Sequence, residues 1–449
     1  MKKLLTAALT TTLGMALAGT ALATETRVNS LSAAGGLGGA FNEKSITLRD
    51  KDHSRLDTAA INTFPQWMVW HKNSVDVDNT AGTSYGSMNV RYALSDDPTP
   101  PVLLLFGKRS PWAPVIAQPS IGGTNAGTVA GGAPGVPGYT GAVADATNHQ
   151  FGIGFAMKAG EAVRLGATLS IGGNRNDKTG TMTANGSNNQ YADENSNTWV
   201  NFNGGVGFDI NEVNSMDFGL NIMAGTFTNM DNNNLARYLS DGLFGVAFTA
   251  KGEFLVSQIA RLVPYLRVQY DSRNIVHQAR NDEPSSGNDS KVGTVNNTWV
   301  ILGTDLAIMP PNLEGVLIQP GVGFIFRGSS ANGSSTASTA REDVEITNNL
   351  MPWYGFSAEA KAFEWCYLRL GARQVISRTN VTNTLKAPDN NEDHNSTVTN
   401  TVSTGLGIKL LGWNLDVNMN PAFFNNGVAA VTGNATPGWG IDWALLYEW

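Results

Sequence analysis

Hydrophobic side chains along most of this chain recur at every second position, the period of a strand whose two faces meet different surroundings. The final segment shows it plainly. Ile441, Trp443, Leu445, Tyr447 and Trp449 alternate with Gly440, Asp442, Ala444, Leu446 and Glu448. Val200, Phe202, Val206, Phe208 and Ile210 alternate in the same way with Asn201, Asn203, Gly205, Gly207 and Asp209. Met216, Phe218, Leu220 and Ile222 do so with Ser215, Asp217, Gly219 and Asn221. Segments around Leu262–Asp271 and Val402–Leu410 repeat the pattern.

The alternation predicts strands over 66–75, 84–94, 102–109, 148–158, 162–172, 198–210, 214–227, 242–251, 262–272, 298–309, 315–327, 352–362, 365–377, 398–410, 413–420 and 439–449. That makes about sixteen, with about fourteen as the alternative; both are even numbers, as a bacterial single-chain barrel requires. Connections alternate in length. Short turns fall at 95–101, 159–161, 211–213, 310–314, 363–364 and 411–412, and long polar segments at 173–197, 228–241, 273–297, 328–351, 378–397 and 421–438. In transmembrane barrels short turns face the periplasm and long loops face outside. The expected fold is therefore all-β: a closed antiparallel transmembrane β-barrel whose alternate side chains meet lipid and lumen, with aromatic girdles at strand ends.

Composition agrees with that reading. Only 15% of the 449 residues are charged while glycine occupies 50 positions, a balance that suits a barrel better than a helical protein. The N-terminus reads as a signal peptide over 1–23: Lys2 and Lys3, an apolar run from Leu4 to Ala18, then Ala21-Leu22-Ala23 before a mature start at Thr24. That run is shorter than the ~20 residues of a spanning helix, and no later stretch is apolar for ~18 residues. No cysteine lies near the cleavage point, so lipid attachment there is not expected. The one cysteine, Cys366, excludes an intramolecular disulfide and reads as an outward-facing apolar filler. A net charge of −7 without clustered Lys and Arg argues against nucleic acid.

Two short motifs carry resemblances. Trp443-x-Leu445-x-Tyr447-x-Trp449 resembles the aromatic-ended last strand that outer-membrane assembly machinery recognises. Ala33-Ala34-Gly35-Gly36-Leu37-Gly38-Gly39-Ala40-Phe41 resembles the small-residue stretch near the mature N-terminus of the long-chain fatty acid transporter family, where this region is a hatch inside the barrel. The resemblance implies a plug-like or periplasmic segment over 24–65, followed by a barrel over 66–449. The chain departs from the family in its larger strand number and in Asn62-Thr63-Phe64-Pro65, which only loosely echoes the family's Asn-Pro.

Strand parity nominates pore-lining residues: Arg91, Arg164, Arg267, Arg327, Arg369, Arg373, Asp209, Asp217, Asp305 and Glu359, with Lys158, Lys251, Lys361, Lys409, Asp416 and Asp442 on the same face. Both signs occur, so strong ion selectivity is not expected. Charges facing a lumen must be paired or solvated, and pairing is the ordinary outcome. Arg369 and Arg373, two cations on one strand, are the expected exceptions. Inward glycines, among them Gly205, Gly207, Gly219, Gly321 and Gly407, suit either a plug that approaches closely or simple wall curvature.

The segment 110–144 carries no charge and holds Trp112, Val115, Ile116 and Tyr139 among many Gly, Pro and Ala. It reads as a constriction or a landing groove for a hydrophobic solute, against a plain cap. No spacing implies a zinc site, and Asp231–Asn234 or Asp193–Asn195 would bind calcium at most as hydrated loop tips. The expected function is an outer-membrane channel of a Gram-negative bacterium for passive diffusion of small, hydrophobic molecules, with no cofactor. The rivals are a general porin for polar solutes, a barrel enzyme, and a loop-displaying adhesion or structural protein. Expected partners are outer-membrane lipid, the assembly machinery and a small-molecule solute, with no nucleic acid. The chain is expected as a monomer or, by the habit of sixteen-stranded porins, a homotrimer.

Overall fold

The computed structural model describes residues 61, 63–80, 85–97, 99–110, 148–184, 187–211, 213–231, 236–279, 290–313, 315–334, 341–384, 391–419 and 441–449. Sixteen strands run in order: β1 (Ser74–Thr80), β2 (Tyr85–Ala93), β3 (Val102–Ser110), β4 (Asn148–Ala159), β5 (Val163–Ala184), β6 (Ser187–Asp209), β7 (Ser215–Asp231) and β8 (Ala236–Ser257). They continue as β9 (Ala260–Ala279), β10 (Ser290–Ile308), β11 (Val316–Ser334), β12 (Arg341–Phe363), β13 (Cys366–Thr384), β14 (Asn391–Leu410), β15 (Trp413–Met419) and β16 (Ile441–Glu448). Each pairs antiparallel with its sequence neighbour, and β1 pairs with β16 (Ser74↔Glu448 to Asn79↔Trp443), so the sheet closes. Closure leaves no strand edge unpaired, the condition for a sheet to cross hydrocarbon.

The alternation survives in three dimensions. Phe151, Ile153, Phe155 and Met157 of β4 are exposed outward, and Gly152, Gly154 and Ala156 between them are buried inward. Near the short turns the outer surface carries stacked aromatics: Phe363 on Trp365 at 5.5 Å, Trp413 on Tyr447 at 4.5 Å and Tyr447 on Trp449 at 6.1 Å between ring centroids. Amphipathic rings at that level are what a membrane interface selects. Leu411–Gly412 is a two-residue hairpin with both residues at positive φ (52° and 82°), which matches the right-handed twist of β14 and β15. One further short turn, Gln258–Ile259 between β8 and β9, lies where the alternation left residues 252–261 unassigned.

Two expectations need correction. The segment 66–75 is not a strand. Pro65–Trp70 forms a 3-10 helix inside the barrel, and the wall begins only at Ser74. Proline at the first position and i→i+3 bonds (Trp67 N–H to Phe64 O at 2.9 Å, His71 N–H to Met68 O at 3.0 Å) hold the turn. Its apolar run lacks a polar face because it is buried against the wall. The long polar segments are also largely strand rather than loop. β5 and β6 stay paired from Val163↔Phe208 to Ala184↔Ser187, and β5, β6, β12 and β14 have 20–23 residues. About 9–11 residues suffice to span a bilayer, so these hairpins stand well beyond it. Strands β1, β15 and β16, of 7, 7 and 8 residues, do not.

Candidate functional site: the lumen

All ten nominated pore-lining residues lie on inward-facing positions of their strands, as parity requires. On every strand at least one side chain on the inward face is buried. Examples run round the whole circumference: Asp76, Arg91, Leu104, Ala156, Arg164, Asn201, Asp217, Lys251, Val263, Ala307, Leu317, Glu359, Arg369, Ser403, Asp416 and Leu446. A sixteen-stranded porin with an aqueous channel would leave such groups wet.

Near the short turns the buried charges meet opposite charges across strands. Arg91 pairs with Asp76 and donates to Ser74 Oγ at 2.8 Å, and Asn89 Nδ2 donates to the other Asp76 oxygen at 2.6 Å. Arg164 bridges Asp209 (2.9 Å) and Asp217 (3.3 Å). Lys251 holds Glu253 at 3.0 Å, with Arg261 at 4.0 Å. Arg369 donates to Glu359 at 2.8 Å, to Asp416 at 2.6 Å and to the Leu406 carbonyl at 3.2 Å. The expectation that Arg369 and Arg373 stand unpaired therefore fails. Arg369 sits between two carboxylates that neighbouring strands bring to it, and the buried Arg373 is engaged as well.

Of the others, Asp305 accepts from Gln319 Nε2 at 3.3 Å, Arg267 donates to Gln269 at 2.7 and 3.1 Å, and Arg327 lies 4.5 Å over the Trp299 ring. Lys361 reaches Glu364 at 2.8 Å and Lys409 lies 5.5 Å from the Tyr367 ring centre. Inward glycines make room for these long side chains. A Cβ on Gly321 would overlap the Asp305 carboxylate, and one on Gly407 the Arg369 guanidinium.

Further along the same inward faces the chemistry changes. β6 carries Asp209 near the short turn but Trp199 higher up; β7 carries Asp217 and then Met223; β8 carries Lys251 and then Leu243. β10 runs from Asp305 to Trp299, β12 from Glu359 to Trp353 and β13 from Arg369 to Val375. Two apolar patches result. One joins Trp199, Met223, Leu243 and Ala247; the other joins Tyr265, Trp299, Ile301, Ile325, Trp353 and Val375. Trp353 shares the inward parity of Ser357 and Glu359, just past a register slip between Leu350 and Trp353, and its ring lies 6.3 Å from Tyr265. The buried indole N–H groups of Trp199 and Trp299 meet no acceptor among the described residues. Sequence parity passed over these residues because apolar groups were assigned to lipid. The unbroken run Trp299-Val300-Ile301-Leu302 was the available signal of a strand apolar on both faces.

The 3-10 helix packs against one side of the inner wall near the short turns. Phe64, Trp67, Met68 and Val69 pack on Val102, Leu104, Phe106 and Ala156 of β3 and β4. That contact accounts for the double-faced apolar run Val102–Phe106. Gln66 Nε2 donates to Asp217 Oδ1 at 2.9 Å, the Arg164 guanidinium lies 3.9 Å over the Trp70 ring, and Lys251 Nζ lies 5.0 Å from the Trp67 ring centre.

The loop residues Trp112, Val115, Ile116 and Tyr139, the Gly-Gly-Ala-Phe stretch, the loop-tip calcium candidate at Asn232–Asn234 and the signal segment lie outside the described residues. Trp443, Leu445, Tyr447 and Trp449 lie on the outward face, with Trp443 and Trp449 exposed there.

The closed cylinder with an apolar, aromatic-girdled exterior defines a transmembrane barrel of the outer-membrane class. No protein-family model matches the sequence, and no curated protein sequence matches it either. Solved structures of similar shape include the siderophore receptor PiuA from Acinetobacter baumannii, with a TM-score of 0.40 and 8% identity over 77% of this chain and 62% of that one. The ferric citrate transporter FecA gives a TM-score of 0.39 and 10% identity over 97% and 81%. The ferric yersiniabactin receptor FyuA from Yersinia pestis gives 0.38 and 7% over 84% and 80%. The chain thus spans less than two thirds of PiuA, and at these scores no conclusion about its activity rests on the likeness.

Proposed function

We propose that this barrel sits in the outer membrane of a Gram-negative bacterium and passes small, hydrophobic molecules passively through a lumen narrowed from the N-terminal side by residues 24–65. The observation that carries the reading is the apolar, aromatic inner wall: Trp199, Met223 and Leu243 on one arc, and Tyr265, Trp299, Ile301, Ile325 and Trp353 on the next. A general porin for polar solutes needs a wet, charge-lined passage, whereas here the inward charges neutralise one another below an apolar wall. The indole N–H groups of Trp199 and Trp299, which meet no acceptor among the described residues, suit a solute that is mostly apolar but offers a hydrogen-bond acceptor. The aromatic-ended β16 supports recognition by the assembly machinery, and the uncharged 110–144 segment supports a landing surface at the outer mouth.

Proteoliposomes loaded with an apolar, environment-sensitive dye acceptor and, separately, subjected to sugar-driven swelling test the reading. Faster uptake of the dye than of protein-free vesicles, with little swelling, is the expected result. Rapid sugar permeation without dye transfer would replace it with the polar porin.

A further inference from the structure

We infer that the inner wall across β5, β6 and β7 holds a binding site for the primary carboxamide group of a small, otherwise apolar and uncharged solute, with Asn201 and Trp199 as its anchors. The inference deepens the channel reading and rests on it only for the passage of what binds.

Asn201 is the exception in an inward polar row. Its neighbours on that row are matched across strands. Asn203 Nδ2 donates to Thr168 Oγ1 at 2.8 Å, Asn221 Nδ2 donates to Asn203 Oδ1, and Gln150 Nε2 donates to Ser170 Oγ at 2.8 Å. Asn201 stands opposite Ser170 of β5 and Met223 of β7 and is 0% exposed, yet neither its Nδ2 nor its Oδ1 meets a partner among the described residues. A buried amide gives up its hydrogen bonds to water, so one left unmet at both ends calls for a partner that the wall does not supply.

Two further groups at this level share that condition. The indole N–H of Trp199, two residues away on the same face and so about 7 Å along the strand, meets no acceptor, and Oδ1 of Asn221 meets no donor. Glycines hold the indole close to the wall: a Cβ on Gly172 of β5 would overlap its ring, and one on Gly225 of β7 would overlap the Trp199 Cβ.

The wall therefore presents an amide NH2 and an indole N–H as donors and two amide oxygens as acceptors. A primary carboxamide carries the complement, a carbonyl oxygen with two lone pairs beside two N–H donors. A carboxylate brings acceptors alone and would set them against the oxygens of Asn201 and Asn221. Arg164, Asp209 and Asp217 lie nearer the short turns on the same three strands and hold one another. The patch that Trp199 shares with Met223, Leu243 and Ala247 supplies an apolar surface for the rest of the solute.

The test measures equilibrium binding of radiolabelled benzamide to the full chain in lipid nanodiscs, with empty nanodiscs subtracted. Binding should saturate. Unlabelled benzoate at pH 8, where a carboxylic acid is ionised, and N,N-dimethylbenzamide, which is neutral but has no donor, should each compete at least tenfold less well than benzamide. Asn201→Leu should abolish saturable binding without lowering the temperature at which the barrel unfolds on a gel, whereas Gln374→Leu, which alters an outward amide, should match the parent. Should Asn201→Leu fail to fold, Trp199→Phe, which removes the indole N–H and keeps a ring, should weaken binding severalfold. No saturable binding to the parent overturns the site, as does benzoate competing as well as benzamide, or unchanged affinity in the folded Asn201 or Trp199 variant. Benzamide binding without uptake of apolar dye by proteoliposomes would sustain the site and defeat the channel reading; dye uptake without benzamide binding would do the reverse.

Discussion

Around the short turns, the inward faces of β6, β7, β12 and β13 present Asp209, Asp217, Glu359 and Arg369, each matched by a partner from another strand or the helix. Some six to ten residues further along the same faces they present Trp199, Met223, Trp353 and Val375. Backbone, parity and neighbours are shared, so only side-chain chemistry distinguishes the two levels. The lower level is closed by specific pairing and fails when one partner is lost. The upper level is closed by contact area and tolerates change up to the volume removed. On the channel reading proposed above, a solute would meet mostly apolar surface before the paired charges at the short-turn end.

The largest expected effect comes from breaking the lower level. Arg164→Ala strips the shared cation from Asp209 and Asp217, and losing one member of such a buried cluster costs about 3–5 kcal/mol. Urea unfolding followed by tryptophan fluorescence reads it; a loss no greater than that of an exposed pair would show the lower level to be wet.

Trp353→Ala should come next. Truncating a buried aromatic costs ~3 kcal/mol, and the same variant should alter dye transfer while leaving charge selectivity alone. A change in selectivity without a change in transfer would reverse the roles assigned to the two levels. Outside the lumen, Leu220→Arg puts a cation on the lipid face and should cost ~2 kcal/mol near the bilayer midplane. It should do so without changing conductance. The smallest effect is expected at Glu364→Gln, whose partner Lys361 lies at 2.8 Å but whose own side chain is 90% exposed. Such a pair is worth no more than ~0.5 kcal/mol.

Much of the wall was legible because a half-lipid, half-lumen strand must alternate: fifteen of the sixteen predicted strands have counterparts, while most of 66–75 is the 3-10 helix and the first wall strand starts at Ser74. Three features were not legible, for separable reasons. Pro65–Trp70 is apolar without a period, which reads equally as a buried strand or a buried turn. The upper halves of β5, β6 and β12 run past the length that spans a bilayer, and their sequence there does not alternate, so they look like loops. The partners of Arg369 depend on register: Glu359 sits opposite it on β12, but Asp416 is two strands away on β15, a placement set by the stagger of the barrel. Inward parity could nominate Arg164, Arg369 and their acids as lumen residues. It could not say which of them would meet.

The seam between β1 and β16 carries one more implication. Until the last strand pairs along Ser74–Asn79, and Trp449 N–H reaches the Asn73 carbonyl at 3.0 Å, both β1 and β16 present a row of bare amide groups. Hydrocarbon offers those groups no hydrogen bond, at several kcal/mol for each one left open. A partly inserted intermediate is therefore far less stable than either end state, so threading strands one at a time into lipid is disfavoured. The two sequence extremes must be brought together before the cylinder can reside in its bilayer, and losing the final eight residues would open the whole wall lengthwise.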